Sequence, residues 1–162
     1  MRCRARAGVY VSEMRKPGKP TSREPDREPR SQFAALPWRR GLNGAVEVLL
    51  ITSRETHRWV IPKGWPIKGK SAWKSAAQEA FEEAGILGKI GKRPTGVYAY
   101  DKRLQNGRLQ QVRVSVFDLQ VESEAQVFPE AGQREKQWVS PQEAARLVDE
   151  PELMAVLATF KA

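Results

Sequence analysis

Short apolar runs bounded by polar turns predict several β-strands after residue 40. Residues 44–51 (GAVEVLLI) are apolar almost throughout, as in a strand that is buried on both faces. Residues 58–61 predict a second strand, which ends at Pro62. Alternating valines from Val112 onward predict a strand over residues 111–120. Shorter strands are predicted at residues 96–100 and 137–139, with a hairpin connection at residues 101–108.

A different apolar spacing predicts helices in two places. Between residues 72 and 84 apolar side chains recur every three or four positions, with Ser71 placed to cap the helix and Gly85 to end it. A second helical stretch is predicted from Pro141, capped by Ser140, to about residue 160, with an interruption near residues 150–151. This order of strands and helices predicts an α+β fold or an α/β/α sandwich.

Composition limits the class of protein. A chain of 162 residues with 40% hydrophobic content suits one domain with a packed core, and no uncharged stretch approaches the roughly 20 apolar residues of a membrane span. The single cysteine, Cys3, cannot form an internal disulfide or a thiolate metal centre. We therefore expect a reducing, cytoplasmic location.

The net charge of +9 is concentrated in the N-terminal segment. Residues 1–40 hold 11 Lys and Arg against 4 Asp and Glu, whereas residues 41–162 hold 17 against 15. Residues 1–30 are rich in proline and poor in apolar side chains, which predicts a disordered basic tail ahead of a folded domain at residues 31–162. The tail is interpreted either as a solubilising leader or, less favourably, as a nucleic-acid-binding arm.

The most unusual chemical feature is a cluster of acidic residues on the first predicted helix. Glu79, Glu82 and Glu83 fall within an arc of about 100° on one helix face. Their mutual repulsion needs compensation, and hard carboxylate oxygens favour Mg²⁺ or Mn²⁺. The alternative is an ordinary solvated helix face, as most charge runs are.

The loop at residues 62–70 supports a site at this helix. It holds two prolines and two glycines and is predicted to lack regular secondary structure. Gly64 and Gly69 permit close backbone approach to a ligand, and three lysines supply cations for phosphate groups (Lys63, Lys68 and Lys70). A metal ion and an anionic substrate are therefore expected to meet between loop and helix.

The loop and helix together resemble the signature box of Nudix hydrolases. Gly64, Gln78 to Ile86 and the intervening spacing match its length without a gap. The flanking sequences resemble the diphosphoinositol polyphosphate phosphohydrolase-like branch, and they comprise residues 34–39, residues 59–64, Pro129–Glu130 and Trp138. The resemblance covers roughly residues 32–160 and implies a Nudix-type α/β/α sandwich with a mixed β-sheet.

Two positions depart from the box. Lys70 stands where the box has its first glutamate, and Gln78 stands where it has an arginine that orients a metal-binding carboxylate in the family. A neutral amide offers hydrogen bonds but no salt bridge there. Neither change removes an expected metal ligand.

The resemblance implies a role for each matched residue. Glu79, Glu82 and Glu83 would hold one to three Mg²⁺ or Mn²⁺ ions, with a backbone carbonyl of Lys63 or Gly64 completing the shell. Glu82 or Glu83 would accept a proton from the attacking water. A later loop would supply a further catalytic acid, with Glu130 as the candidate and Glu135 as its alternative.

Substrate binding is expected to need several cations, because the substrate is polyphosphorylated. The candidates, each of which is alternatively ordinary surface charge, are Arg39, Arg40, Lys63, Arg113, Arg134 and Lys136.

The leading hypothesis is a metal-dependent Nudix pyrophosphohydrolase that cleaves a diphosphate linkage. Its substrate would be a diphosphoinositol polyphosphate, a dinucleoside polyphosphate or another nucleoside diphosphate derivative. The alternatives are an RNA 5′-pyrophosphohydrolase and a catalytically degenerate domain that binds phosphorylated ligands. The chain is expected to act as a monomer or a homodimer.

Overall fold

The centre of the fold is an eight-stranded mixed sheet, seen in a computed structural model that describes residues 28–162. Its strands are β1 (Arg30–Arg40), β2 (Val46–Thr52), β3 (Trp59–Val60), β4 (Lys63–Gly64), β5 (Ile86–Ile90), β6 (Gly96–Arg103), β7 (Leu109–Glu124) and β8 (Lys136–Val139). The helices are α1 (Ala72–Ala84), α2 (Pro141–Leu147) and α3 (Pro151–Ala158). None of the helices in this part of the chain is long and apolar enough to cross a membrane.

Strand β1 organises the sheet because it pairs with three others. It runs parallel to β7, from Arg30 opposite Val112 to Trp38 opposite Gln120. It is antiparallel to β2 and to the short β4. Strand β7 in turn pairs antiparallel with β5 and β6, while β2 pairs with β3 and β8.

Helices cover both faces of the sheet. The alanines of α1 allow close packing against one face, where the buried partners include Leu49, Ile51 and Phe117. Helices α2 and α3 pack on the other face through side chains such as Leu153 and Leu157. The predicted α+β fold, arranged as an α/β/α sandwich with a mixed sheet, is therefore confirmed.

Several local predictions match the structure. Residues 48–51 of β2 alternate between the two apolar cores, so this strand is buried on both faces. Helix α1 ends at Gly85, whose φ of 71° is the left-handed conformation that glycine adopts easily. The C-terminal helical stretch divides into α2 and α3, with Pro151 at the first turn of α3.

Three features differ from the predictions. Strands β1 and β5 were not predicted, and Lys63–Gly64 forms β4 within a loop that was expected to lack regular structure. Strand β4 exists because Lys63 and Gly64 pair with Ala34 and Phe33 of the unpredicted β1. Strand β1 begins at Arg30, and the predicted disordered tail otherwise falls mainly on residues 1–27, outside the described residues.

Candidate functional site

The acidic face of α1 lies against the β4 backbone. Glu79 packs on Gly64 so closely that a Cβ atom at Gly64 would overlap the Glu79 carboxylate. The absence of a side chain at residue 64 therefore creates the space that this carboxylate occupies.

The Glu83 carboxylate is largely enclosed, with a side chain that is 12% exposed. It accepts a hydrogen bond from the backbone N–H of Lys63 at 3.3 Å and pairs with the Arg134 guanidinium at 3.2 Å. Burial raises the pKa of Glu83, and the charges of Arg134 and Lys63 partly oppose that rise. This carboxylate is thus held in place by both a backbone and a side-chain donor.

Arg134 joins α1 to the loop before β8. Its Nε lies 3.0 Å from Glu130 Oε2, and its Nη1 donates to the Thr52 carbonyl oxygen at 3.0 Å. Arg54 adds a second cation to Glu130 at 3.1 Å. The backbone N–H of Glu130 also donates to the Glu82 carbonyl oxygen at 3.0 Å, so this loop is fixed beside the acidic helix.

The two departures from the signature box contact each other. The Lys70 ammonium donates to the Gln78 side-chain oxygen, and the Gln78 amide donates to Glu82 Oε1 at 2.7 Å. A short chain of polar side chains therefore links the loop to the Glu82 carboxylate, through Lys70 and Gln78.

The electrostatics of the acidic face suit a cation. Burial, together with the negative charges of Glu83, Glu82 and Glu130, raises the pKa of Glu79 to about 7. The field that favours a proton on Glu79 also attracts a divalent cation, and carboxylate oxygens are ligands that Mg²⁺ and Mn²⁺ prefer. The donor set is therefore suitable, although within residues 28–162 no three acidic, histidine or cysteine side chains converge on one point as a preformed metal centre.

A cavity of about 220 Å³ opens beside Glu83. Its lining is mostly polar and comprises Glu83, Glu124, Ala125, Gln126, Phe128, Glu130, Ala131, Gly132, Arg134 and Lys136. Two predicted substrate-binding residues, Arg134 and Lys136, thus lie beside two predicted catalytic residues, Glu83 and Glu130. The Lys136 ammonium donates to the Ala84 carbonyl oxygen at 3.1 Å and pairs with Glu124 at 3.2 Å.

The other predicted residues do not line this cavity, although Arg39 reaches its rim by pairing with Glu124 at 3.4 Å. Arg39 pairs with Glu47 at 2.8 Å and stacks on Trp138, with its guanidinium carbon 4.0 Å from the ring centroid. Arg40 donates to the Gly44 carbonyl oxygen in the β1–β2 turn. Arg113 is exposed on β7, opposite Ser31 of β1. Glu135 is exposed, and its backbone N–H donates a hydrogen bond to Thr52 Oγ1 at 2.9 Å.

The structure also brings together a cationic and aromatic wall whose assembly the sequence does not predict, although Lys63 was already a substrate-binding candidate. It is formed by Arg30, Lys63, Trp65, Tyr100 and Lys102. The Arg30 guanidinium carbon lies 4.1 Å from the Trp65 ring centroid, and the Lys102 ammonium lies 5.4 Å from it. The Lys63 ammonium lies 5.5 Å from the Tyr100 ring, and burial lowers its pKa. No local signal joins these residues, because they come from four separate strands or loops.

A domain-family profile and several curated proteins match this chain. The sequence profile of the NUDIX domain matches residues 29–160. Nudix hydrolase 12, mitochondrial, of Arabidopsis thaliana is 31% identical over 105 residues, which are 63% of this chain and 52% of that protein. Nudix hydrolase 13, mitochondrial, of the same plant is 28% identical over 120 residues, covering 71% of this chain and 59% of the relative. The chain therefore spans little more than half the length of these curated relatives.

Solved structures show the same fold. A C. elegans Ap4A hydrolase binary complex superposes with a TM-score of 0.59 at 23% identity, covering 80% of this chain and 93% of the other. The E. coli dihydroneopterin triphosphate pyrophosphohydrolase superposes with a TM-score of 0.61 at 17% identity, covering 80% and 93%.

Proposed function

The chain belongs to the NUDIX domain family, and on that premise we propose that it hydrolyses a diphosphate linkage in a phosphorylated small molecule with the help of a divalent metal ion. The observation that carries this proposal is the acidic face of α1, which stands between the cavity at Glu83 and the backbone of β4. A surface that only bound phosphates would gain nothing from three carboxylates that repel the ligand.

The glutamates of α1 would hold Mg²⁺ or Mn²⁺, joined by a backbone carbonyl of Lys63 or Gly64. When bound, such an ion supplies Lewis acidity and charge neutralisation at a diphosphate. Glu83 or Glu82 accepts the proton of the attacking water, and the donors on Glu83 keep its carboxylate oriented for that step. Glu130 is the further catalytic group, held 3.0 Å from Arg134 and 3.1 Å from Arg54 at the cavity wall.

Substrate phosphates would be bound by the cations around the carboxylates. Lys136 lines the cavity, and Lys63 lies beside Glu83 through its backbone and beside Tyr100 through its ammonium group. Arg39, Arg40 and Arg113 do not line the cavity at Glu83 and would contact remote phosphates of a long substrate.

The finer proposal is a substrate that carries several phosphates, either a diphosphoinositol polyphosphate or a dinucleoside polyphosphate. The cationic and aromatic wall supports this, because Arg30 and Lys102 both lie over the Trp65 ring, and the Lys63 ammonium lies 5.5 Å from the Tyr100 ring. One structural neighbour is an Ap4A hydrolase, which favours the dinucleoside polyphosphate. Nucleotide sugars and RNA 5′ ends would use fewer of these cations.

A catalytically degenerate, ligand-binding domain is the second candidate. It is favoured by one observation, the chain from Lys70 through Gln78 to Glu82, in which a lysine and an amide occupy the positions of a glutamate and an arginine. Under this alternative, ligands bind but are not turned over.

The test is product release from a panel of substrates with Mg²⁺ or Mn²⁺. The panel holds a diphosphoinositol polyphosphate, a diadenosine polyphosphate, a nucleotide sugar and a 5′-triphosphate RNA. Wild type is compared with Glu82→Gln and Glu83→Gln, and with Glu122→Gln, an exposed glutamate of β7, as the matched control. Metal-dependent turnover that collapses in the first two variants supports the hydrolase. Binding without turnover supports the degenerate domain.

We further propose a cytoplasmic protein that acts as a monomer or homodimer. Two plant relatives carry the word mitochondrial in their names, so fractionation of cells into cytosol and mitochondria is the relevant measurement. Sedimentation at two protein concentrations tests the oligomeric state.

A further inference from the structure

The guanidinium of Arg134 is unusually enclosed for a cation beside a cavity. Its side chain is 8% exposed, and the two carboxylates it contacts are 12% and 19% exposed. Residue 78 of α1 is neutral, and its amide reaches Glu82 rather than Glu83. The positive charge at Glu83 therefore comes from outside the helix.

Each nitrogen of this guanidinium has a different acceptor. Nη2 lies 3.2 Å from Glu83, Nε lies 3.0 Å from Glu130, and Nη1 donates to the Thr52 carbonyl at 3.0 Å. The acceptors belong to α1, to the loop before β8 and to the end of β2. A rigid planar fork held on three segments fixes the separation of Glu83 and Glu130.

We propose that Arg134 is the positioning residue of the metal site, supplying from the loop before β8 the cation that α1 lacks at residue 78. This inference rests on the proposed function, since it assigns Glu83 to a metal ion. Arg134 acts through Glu83 and Glu130, while the substrate meets Lys63 and Lys136.

The alternative role for Arg134 is direct phosphate binding. Its three nitrogens already have protein acceptors, so a phosphate would have to displace at least one of them. Removing the buried guanidinium would also leave Glu83 with the Lys63 N–H as its remaining donor among the described residues. Both considerations favour positioning over substrate contact.

The first measurement is Mn²⁺ binding to the metal-free protein by calorimetric titration. Arg134→Gln is expected to raise the Mn²⁺ dissociation constant by about 10- to 100-fold, the usual cost of losing a partner that orients a metal ligand. The matched control is Arg58→Gln, which breaks an ion pair with the largely buried Glu150 but leaves the acidic face intact. The control should lose stability and keep the wild-type Mn²⁺ affinity.

A relocated charge separates positioning from a general structural role. Adding Gln78→Arg to Arg134→Gln returns a positive charge to the acidic face, but at Glu82 rather than at Glu83, so the Mn²⁺ affinity should stay low if positioning of Glu83 is what Arg134 supplies. Full recovery of the Mn²⁺ affinity would show that only the net charge matters and would overturn the proposal. If Arg134→Gln fails to fold by circular dichroism, Arg134→Lys decides, because one ammonium cannot hold three separated acceptors. A folded Arg134→Lys or Arg134→Gln protein with wild-type Mn²⁺ affinity overturns the proposal.

Kinetics on an active substrate separate positioning from phosphate binding. A positioning role predicts that kcat of Arg134→Gln recovers toward wild type as Mn²⁺ is raised, with KM unchanged. A KM that stays raised at saturating Mn²⁺ overturns the proposal in favour of phosphate binding. If the wild type binds Mn²⁺ but turns over no substrate, the proposed hydrolase activity is excluded. The positioning role of Arg134 is then judged by the Mn²⁺ titration alone and stays supported by it. Wild type that binds no Mn²⁺ overturns the positioning role itself.

Discussion

Replacing Gly64 with alanine tests how closely the acidic helix depends on the backbone of β4. The new methyl group would occupy the position of the Glu79 carboxylate. The backbone at residue 64 is not in the left-handed region, so alanine introduces no conformational strain there. The three atoms nearest to the new methyl group all belong to Glu79, so displacement of this side chain is the main expected effect.

The size of the effect should differ between stability and metal binding. Glu79 is half-buried and flexible, so its carboxylate can swing aside, and the free energy of unfolding should fall by less than the ~1–3 kcal/mol typical of overpacking in a rigid core. The same movement withdraws a metal ligand, and the Mn²⁺ dissociation constant should rise at least about tenfold, or ~1.4 kcal/mol.

Substitution of a second glycine, Gly96, should affect stability but not metal binding. A Cβ atom at Gly96 would lie 2.5 Å from Cγ2 of Val156, between β6 and α3 on the far face of the sheet. Gly96→Ala should therefore lower stability by the full ~1–3 kcal/mol while the folded protein keeps its Mn²⁺ affinity.

Urea unfolding and Mn²⁺ titration on both variants measure the two quantities. The reasoning is refuted if Gly64→Ala binds Mn²⁺ as tightly as wild type, because Glu79 would then not depend on the space above Gly64. It is equally refuted if both variants lose stability and metal affinity in the same proportion.

Four further predictions concern stability. Leu153→Ala, which empties a fully buried site under α3, should cost about 2–5 kcal/mol in urea unfolding, and a loss below 1 kcal/mol would contradict the packing described. Ser140→Ala removes the side-chain oxygen that accepts from the Glu143 N–H at 3.1 Å, so the free energy of unfolding should fall by about 1 kcal/mol. An unchanged urea midpoint would contradict this capping role. Tyr100→Phe removes the hydroxyl that donates to Gln32 at 2.7 Å, leaving a buried amide oxygen without that donor, and should cost about 1–3 kcal/mol. Mn²⁺ at 100 times its dissociation constant should stabilise the wild type by about 2.7 kcal/mol, and chelation should reverse the gain.

The elements that were predicted correctly depend on neighbouring residues. Helix α1 follows from the spacing of its alanines and the left-handed Gly85. The hairpin between β6 and β7 follows from Asn106 and Gly107, whose φ of 79° suits a tight turn. Such signals can be recognised within a window of a few residues.

The missed strands depend on distant partners. Strand β1 contains Pro37 and has exposed ends, and it forms because β7, β2 and β4 all pair with it. Strand β5 contains Gly88 and has an exposed centre, and β7 is its partner in the sheet. Periodicity carries little information about strands of this kind.

The candidate site also contains features that the sequence predicts and features that only the tertiary structure shows. The spacing of Glu79, Glu82 and Glu83 was evident from the sequence because one helix carries all three. The link from Arg134 to Glu83, and the stacking of Arg30 on Trp65, join residues that only the tertiary fold brings together. No pattern in the chain distinguishes the enclosed Arg134 from the arginines on the surface.

The position of β1 in the sheet has a consequence for how the protein is made. This strand precedes every other element of the described chain, yet its parallel partner β7 follows about 80 residues later. At roughly 5–20 residues per second, synthesis leaves β1 without that partner for several seconds. Helix α1 emerges within the same interval, before Arg134 exists to neutralise Glu83. A nascent chain that stops short of β7 therefore carries an open strand edge and an uncompensated acidic helix, and it is the form most in need of a chaperone.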